Sequence, residues 1–239
     1  MKYTIFNYKT FSWKKYLFET LSIFIAVVSA FGLNNWNQNQ RDKDAEIGIL
    51  KEVSNGIKND LFVIRYNKQG NVIAKKACAY MRDLIENKTV NQDSIRATYI
   101  VTFSDFLFTA NTTGYKGLES KGLDIIKDDL LRVRITYYYN YYFDILAKIE
   151  GENEQLQAFK NYFFKFNSKL SQFMEFNEDG QLIEIKQPII LTDFEKKELY
   201  SYLWLLESIR DIKIKLYEEL EIQINKLDVH VEKSLKEKV

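Results

Sequence analysis

The chain has 239 residues, with 34 Lys+Arg against 33 Asp+Glu, one His, one Cys, one Pro and nine Gly. A net charge of +1 argues against a dedicated nucleic-acid binder, which carries a strongly basic face, so nucleic acid is not expected among its partners. A single Cys excludes an intramolecular disulfide and any multi-Cys zinc or iron–sulfur centre, and the shortage of Pro and Gly favours helices over turn-rich β structure.

The first predicted element is the apolar block Tyr16–Leu33, uncharged from Leu21 onward. At ~1.5 Å per residue it spans roughly 27 Å, close to the ~30 Å of a hydrocarbon core. Trp13, Tyr16 and Trp36 are placed for the two interfaces, and the polar run NNWNQNQRDKD follows. A cleaved signal peptide and a buried core helix are the competing readings. Ser29-Ala30-Phe31 makes a poor cleavage site, which favours the anchor. Lys2, Lys9, Lys14 and Lys15 precede the block and Arg41 and Lys43 follow it, which predicts a cytoplasmic N-terminus and the rest of the chain on the far side of the cytoplasmic membrane. Within the block, Glu19, Ser22, Ala26 and Ala30 recur at three- and four-residue steps and form one narrow stripe. Small residues let helix backbones approach, and a carboxylate in lipid is costly unless it faces a partner, so the stripe suggests helix–helix association. The plainer reading places Glu19 at the headgroups and leaves the small residues to chance.

From Asp44 to Lys68, Ile47, Leu50, Ile57, Leu61 and Ile64 form a helical stripe in which Ser54 holds one slot, predicting an amphipathic helix packed on the domain. Gly70-Asn71 interrupts it. Val72, Ala79, Met81, Leu84 and Ile85 then suggest a second helix running antiparallel to the first, with Cys78 inside it as a buried structural thiol. The lone His230 lies in a charged tail, too isolated to activate that thiol. Residues 91–109 are rich in β-branched and aromatic side chains and fit either a strand or a buried helix. Thr113 is predicted to cap a short helix that Gly122 ends, and Lys127-Asp128-Asp129 opens a longer one.

The run Tyr137, Tyr138, Tyr139, Tyr141, Tyr142 and Phe143 covers nearly the whole circumference of a helix. With Asn161–Asn167 it forms either an aromatic-rich core or an aromatic binding surface, for which Tyr137, Tyr138, Tyr141 and Tyr142 are the residues named. MEFNEDGQLIEI predicts a hairpin turning at Asn-Glu-Asp-Gly, followed by the sole proline, Pro188. Thr192 and Glu195 form a capping box that starts a helix expected to reach about His230, carried by Leu199, Leu203, Leu206, Ile209, Leu216, Leu220, Ile224 and Leu227. The tail at 233–239 is expected to fray.

Two blocks carry a resemblance. The opening ETLSIFIAVVSAFGLNNWNQNQRD is similar to that of the DUF6090 family, Bacteroidota membrane proteins that begin with a basic tail and a helix of the type GE-(apolar)-INNWNE. Glu19, Asn34, Asn35 and Trp36 fall on matching positions, while Phe18 stands where the family has glycine. Tyr115, Leu118, Ser120 and Gly122 in TTGYKGLESKGLDII resemble the family's second block, and the order of the two agrees. The resemblance covers most of the chain and implies a membrane-anchored protein with an α-helical extramembrane domain; it assigns no activity. In that setting the glycosylation sequons at Asn87 and Asn111 read as incidental.

No glycine-rich phosphate loop, HExxH, Gly-x-Ser-x-Gly or paired Cys occurs in the sequence. The acids at Asp128-Asp129 and Glu218, Glu219 and Glu221 sit where helix starts and solvated faces place them. The expected architecture is therefore mainly α: a basic cytoplasmic tail (1–15), a single transmembrane helix (16–36), an antiparallel helical-bundle domain with one small β-hairpin (37–232) and the tail. The expected role is non-enzymatic, without cofactor, catalytic or metal residues. Its partners would be the lipid bilayer and either further copies of itself or other envelope proteins, with the domain acting as scaffold, sensor or subunit. A periplasmic ligand-binding receptor with an aromatic-lined pocket is the alternative.

Overall fold

In the computed structural model, residues 13–152 and 157–238 are described. Lys2 and Lys9 of the predicted basic tail, and Val239 at its other end, lie outside the described residues. The protein is mainly helical with one two-stranded antiparallel sheet. It divides into two units, Met1–Ile47 and Gly48–Val239.

Helix α1 (Trp13–Ile85) contains the apolar block, and it is long and apolar enough to cross a membrane, with none of the apolar window buried. It also contains the predicted stripe: Leu50, Ile57, Leu61 and Ile64 are buried, and Ser54 holds its slot by donating its hydroxyl to Glu232 Oε1 at 3.0 Å. The predicted break at Gly70-Asn71 does not occur. One glycine costs a helix only about 1 kcal/mol relative to alanine, and this one is occupied from outside. A Cβ on Gly70 would lie 2.3 Å from a ring carbon of Phe106. There is consequently no second helix folding back at this point; the antiparallel partner of α1 comes from the far end of the sequence. Helix α1 stops where Asn87 adopts φ 60°, a left-handed conformation that asparagine tolerates. Its side-chain amide then donates to the carbonyl of Ile189 and accepts from the Ile189 N–H.

The ambiguous stretch at 91–109 resolves as helix α2 (Ile95–Phe103), whose buried residues Ile95, Tyr99, Thr102 and Phe103 follow a helical period, followed by irregular chain. Helix α3 (Thr113–Lys121) begins one step earlier than predicted: Thr113 is its first residue, and the side chain of Asn111 accepts the Thr113 N–H at 3.2 Å. Gly122, at φ 95°, ends it. Helix α4 (Asp129–Tyr137) is capped by Asp128, whose carboxylate accepts the Leu131 N–H at 2.9 Å. The tyrosine run then forms a π-helical turn (Tyr138–Tyr142), followed by α5 (Phe143–Ala147) and a second π-helical turn (Lys148–Glu152). Helix α6 (Phe164–Leu170) follows a third (Phe159–Phe163).

Strands β1 (Met174–Phe176) and β2 (Leu182–Ile185) form the predicted hairpin, its turn closed by Gly180 at φ 74° and by the Asn177 side chain accepting from Gln181 N–H at 2.7 Å. The hairpin is held to the helices at buried Ile185, whose N–H and carbonyl both pair with the Gln92 side-chain amide. Helix α7 (Asp193–Lys238) starts at the predicted capping box, in which Glu195 accepts from Thr192 N–H at 3.0 Å and Thr192 Oγ1 accepts from Glu195 N–H at 3.2 Å. The helix does not fray after His230. It continues to Lys238 because Val231 and Ser234 are buried and Leu235 packs on the core.

Ion pairs trace the course of α7 along the second unit's share of α1. Arg82 meets Glu207, Lys75 meets Asp211, Lys68 meets Glu221 and Lys58 meets Glu232. The numbers rise on one helix as they fall on the other, so the two run antiparallel. The two exposed pairs, Lys75–Asp211 and Lys58–Glu232, each contribute at most about 1 kcal/mol; the register is set by the apolar side chains between the pairs.

Candidate functional site

Three groups of residues have the composition of a site, and the sequence points to two of them. The first is the stripe Glu19, Ser22, Ala26 and Ala30, all exposed on α1. The Ser22 hydroxyl donates to the carbonyl of Phe18 at 2.8 Å, and Thr20 does the same to Tyr16. A hydroxyl satisfied within its own helix carries little polarity to the surface, so the stripe presents small side chains with one carboxylate near its N-terminal end.

The second is the tyrosine run, which the structure divides. Tyr137 and Tyr141 are 48% and 47% exposed and stack at 4.5 Å between ring centroids, with Tyr142 edge-on to both. Tyr138 is only 2% exposed: its ring packs against Tyr139 and Phe143 in the core, its hydroxyl donates to Asp60 at 3.5 Å, and it contributes to the surface only from within the lining of a cleft beside Tyr137 and Tyr142. Consecutive helical residues face about 100° apart, which separates Tyr137 from Tyr138; the π-helical turn then brings Tyr142, five residues on, back to the side of Tyr137. A cleft of about 390 Å³ is lined by Arg134, Tyr137, Tyr138 and Tyr142 together with Gln223, Lys226 and Leu227 of α7. His230 joins this region to the start of α4: Nε2 lies 2.9 Å from Asp128 Oδ2 and Nδ1 lies 3.3 Å from Arg134. Asp128 is held below its ordinary carboxylate value by the Leu131 N–H it accepts and by His230.

The third group is invisible to hydrophobic patterning. Two apolar clusters fill the second unit, one around Leu50, Ile57, Tyr138 and Leu220, the other around Cys78, Met81, Phe166 and Leu203. Along both long helices a polar layer separates them. Asn67 and Asn71 are buried on α1, and Arg210 and Lys213 are buried on α7. Arg210 donates to Asn71 Oδ1 and to the carbonyls of Thr102 and Ser104, and lies over the Phe106 ring. Glu150, from the second π-helical turn, accepts from the Tyr217 hydroxyl and from the Phe108 N–H. Lys213 Nζ stands 3.9 Å from Glu150 and has no hydrogen bond. Burial pulls the Lys213 ammonium below its ordinary value despite the attraction of Glu150 and Asp105, and Arg210 pulls it the same way. The only trace in the sequence is the seven-residue step from Ile209 to Leu216, whose middle slot Lys213 occupies. Nearby, Asp60 is buried, accepts from Asn111 N–H at 2.8 Å, and is pushed up to about 7 by burial. Cys78 is buried with its thiol pushed up to about 12, far from the thiolate form that reacts.

No family model, curated protein or solved structure matches this chain. Among the described residues no group of three or more His, Cys, Asp or Glu is placed to hold a metal ion.

The layer makes one prediction directly. The folded state holds Lys213 with a lower proton affinity than the unfolded chain does, so the charged group opposes folding at every pH below its folded value, and that penalty fades as pH rises from there through the ordinary lysine value of about 10.5. Lys213→Met combined with Glu150→Gln removes both charges of the buried pair, and the glutamine can still accept the Phe108 N–H and donate to the Tyr217 hydroxyl. Denaturant titration of the double variant at pH 7 is expected to show a gain of about 1–2 kcal/mol. The gain should narrow as pH rises toward about 10.5, where the wild-type lysine has lost its proton in the folded state and loses it in the unfolded state as well. A loss of stability at pH 7 would instead show that the buried pair is net stabilising.

Proposed function

We propose that the protein is a single-pass membrane protein whose helical domain works through contacts with other proteins, as scaffold, sensor or subunit of a cell-envelope complex. The observation that carries this reading is the apolar window of α1, none of which is buried. The core helix of a soluble protein hides such a surface, whereas a bilayer covers it. The Lys/Arg bias around the window favours a cytoplasmic N-terminus and a periplasmic domain. The antiparallel pairing of α1 with α7 supports an antiparallel helical bundle as the domain's architecture. Membership of the DUF6090 family is part of the proposal, on the matching positions Glu19, Asn34, Asn35 and Trp36 and Tyr115, Leu118, Ser120 and Gly122. The small-residue stripe, with Glu19, is the face through which α1 meets another copy or another membrane protein.

Alkaline carbonate extraction of native membranes, followed by crosslinking and mass spectrometry, tests this. The expected result is a protein retained in the pellet and crosslinked to itself or to an envelope partner. Release into the supernatant overturns the anchor, and a pelleted protein without any crosslinked neighbour overturns the contact role. Orientation is read separately from Lys197→Cys, on an exposed position of α7: an impermeant maleimide should label it from the periplasmic side.

A ligand-binding receptor domain is the second reading, favoured by the cleft between the tyrosines and α7.

A further inference from the structure

The cleft between the tyrosine run and α7 combines features that the packing of the domain does not require. Its volume of about 390 Å³ is at the small end of the range that ligand pockets occupy. One wall is aromatic. The π-helical turn, closed by the Phe143 N–H donating to the carbonyl of Tyr138, brings Tyr137 and Tyr142 to the same side, with ring centroids 5.2 Å apart and an interplanar angle of 87°. Such turns are over-represented at functional positions because they cost helix stability and re-aim side chains. The lining is completed by Val133, Arg134 and Tyr138 on the tyrosine side and by Gln223, Lys226 and the buried Leu227 of α7.

The charge is one-sided. Neither Arg134 nor Lys226 forms an ion pair among the described residues, although this chain pairs its cations with acids along most of the α1–α7 contact. Among the described residues the side-chain hydrogen-bond partner of Arg134 is the His230 ring, which in turn holds Asp128. The acid near the aromatic wall is Glu219, which acts on the Tyr142 hydroxyl. Two cations without carboxylates, beside flat rings and an apolar floor, match a ligand with a negative group and a flat apolar face: the guanidinium and ammonium take the anion and the tyrosines take the ring. We infer that this cleft binds a small organic anion, of the carboxylate, sulfonate or phosphate type, that carries an aromatic or comparably flat ring. This deepens the ligand-binding reading above. It does not depend on the membrane anchor, and its failure would leave the anchor reading intact.

The test uses the full chain in nanodiscs, with 2-naphthoate as probe and the isosteric neutral 2-naphthamide as control, by isothermal titration against empty nanodiscs. The expected result is saturable one-to-one binding of naphthoate, at least about tenfold tighter than naphthamide, since a charge-assisted contact is worth that much or more. Lys226→Gln should weaken naphthoate by about tenfold and leave naphthamide unchanged, and Arg134→Gln should do the same more strongly. Lys226 is exposed and forms no ion pair among the described residues, so its variant keeps the fold and decides the matter even if loss of the Arg134–His230 contact perturbs α4. Tyr142→Ala should weaken both probes alike. Heats no larger than those of empty nanodiscs, equal affinity for the acid and the amide, or a Lys226→Gln variant that binds naphthoate as well as wild type would each overturn the inference.

Discussion

Gly114→Val should destabilise the protein by about 3 kcal/mol or more, the upper end of what over-packing costs, and on a domain of this size that is a large share of the whole. The reason lies in how α3 crosses α1. A Cβ on Gly114 would sit 2.6 Å from the backbone nitrogen of Val53 and 2.7 Å from the carbonyl carbon of Glu52. Both are main-chain atoms in the middle of a long helix, so relief requires moving one whole helix off the other. That would also lift Tyr115 and Leu118 out of the core, where they are buried beside Leu50 and Ile57. Gly117→Ala, one turn along the same helix, is the internal control. Its Cβ meets only the Glu52 carboxylate, at 3.4 Å, the free end of an exposed side chain. Here the helix-propensity gain of up to about 1 kcal/mol should make the substitution neutral or stabilising. Denaturant titrations of the two variants in detergent check the pair. A Gly114→Val protein as stable as Gly117→Ala would show that α3 does not pack on α1 at this distance.

Asp60→Asn should strongly change the pH dependence of stability. Burial pushes Asp60 up to about 7 from 3.8, opposed by the Asn111 N–H and the Tyr138 hydroxyl it accepts. Between those two values the folded state keeps the proton that the unfolded state has lost. Folded protein therefore binds more protons, and stability falls as pH rises from about 4 to about 7, then levels. At 1.36 kcal/mol per pH unit the total is about 4 kcal/mol. Asparagine accepts the same Asn111 N–H through its carbonyl and has no proton to lose. The variant should match wild type near pH 4 and exceed it by about 2–4 kcal/mol at pH 8. Equilibrium unfolding at the two pH values decides it. An unchanged slope in the variant would place the titration on another group.

Much of this architecture is readable from side-chain periodicity and local chemistry. The stripe from Leu50 to Ile64, the capping box at Thr192 and Glu195, the Asp128 cap, the turn at Gly180 and the leucine-rich α7 each rest on a rule that operates within a few residues, and such rules need no knowledge of the rest of the chain. Where the reading failed, the deciding contact was distant. Gly70 reads as a break until Phe106 is seen to fill the space where its side chain would be. The tail after His230 reads as frayed until Val231 and Ser234 are seen to be buried. The ambiguity at 91–109 could not be resolved locally, because β-branched and aromatic residues suit a strand as well as a buried helix.

The candidate sites divide in the same way. The tyrosines were conspicuous by density, but the return of Tyr142 to the side of Tyr137 depends on a π-helical turn that has no sequence signature. The buried layer of Asn67, Asn71, Glu150, Arg210 and Lys213 was hidden because each residue alone looks like an ordinary helix-surface residue.

The balanced composition with which the chain presents itself, scarce in Gly, Pro, Cys and His, determined a helical protein with one apolar, lipid-length block, because hydrophobic periodicity and backbone preference are local properties. Tertiary structure alone decided that α7 returns along α1, that five polar residues share one buried layer, and that Tyr137 and Tyr142 share a cleft with Arg134 and Lys226. Those outcomes join residues tens to more than a hundred positions apart, and only packing brings such residues into contact.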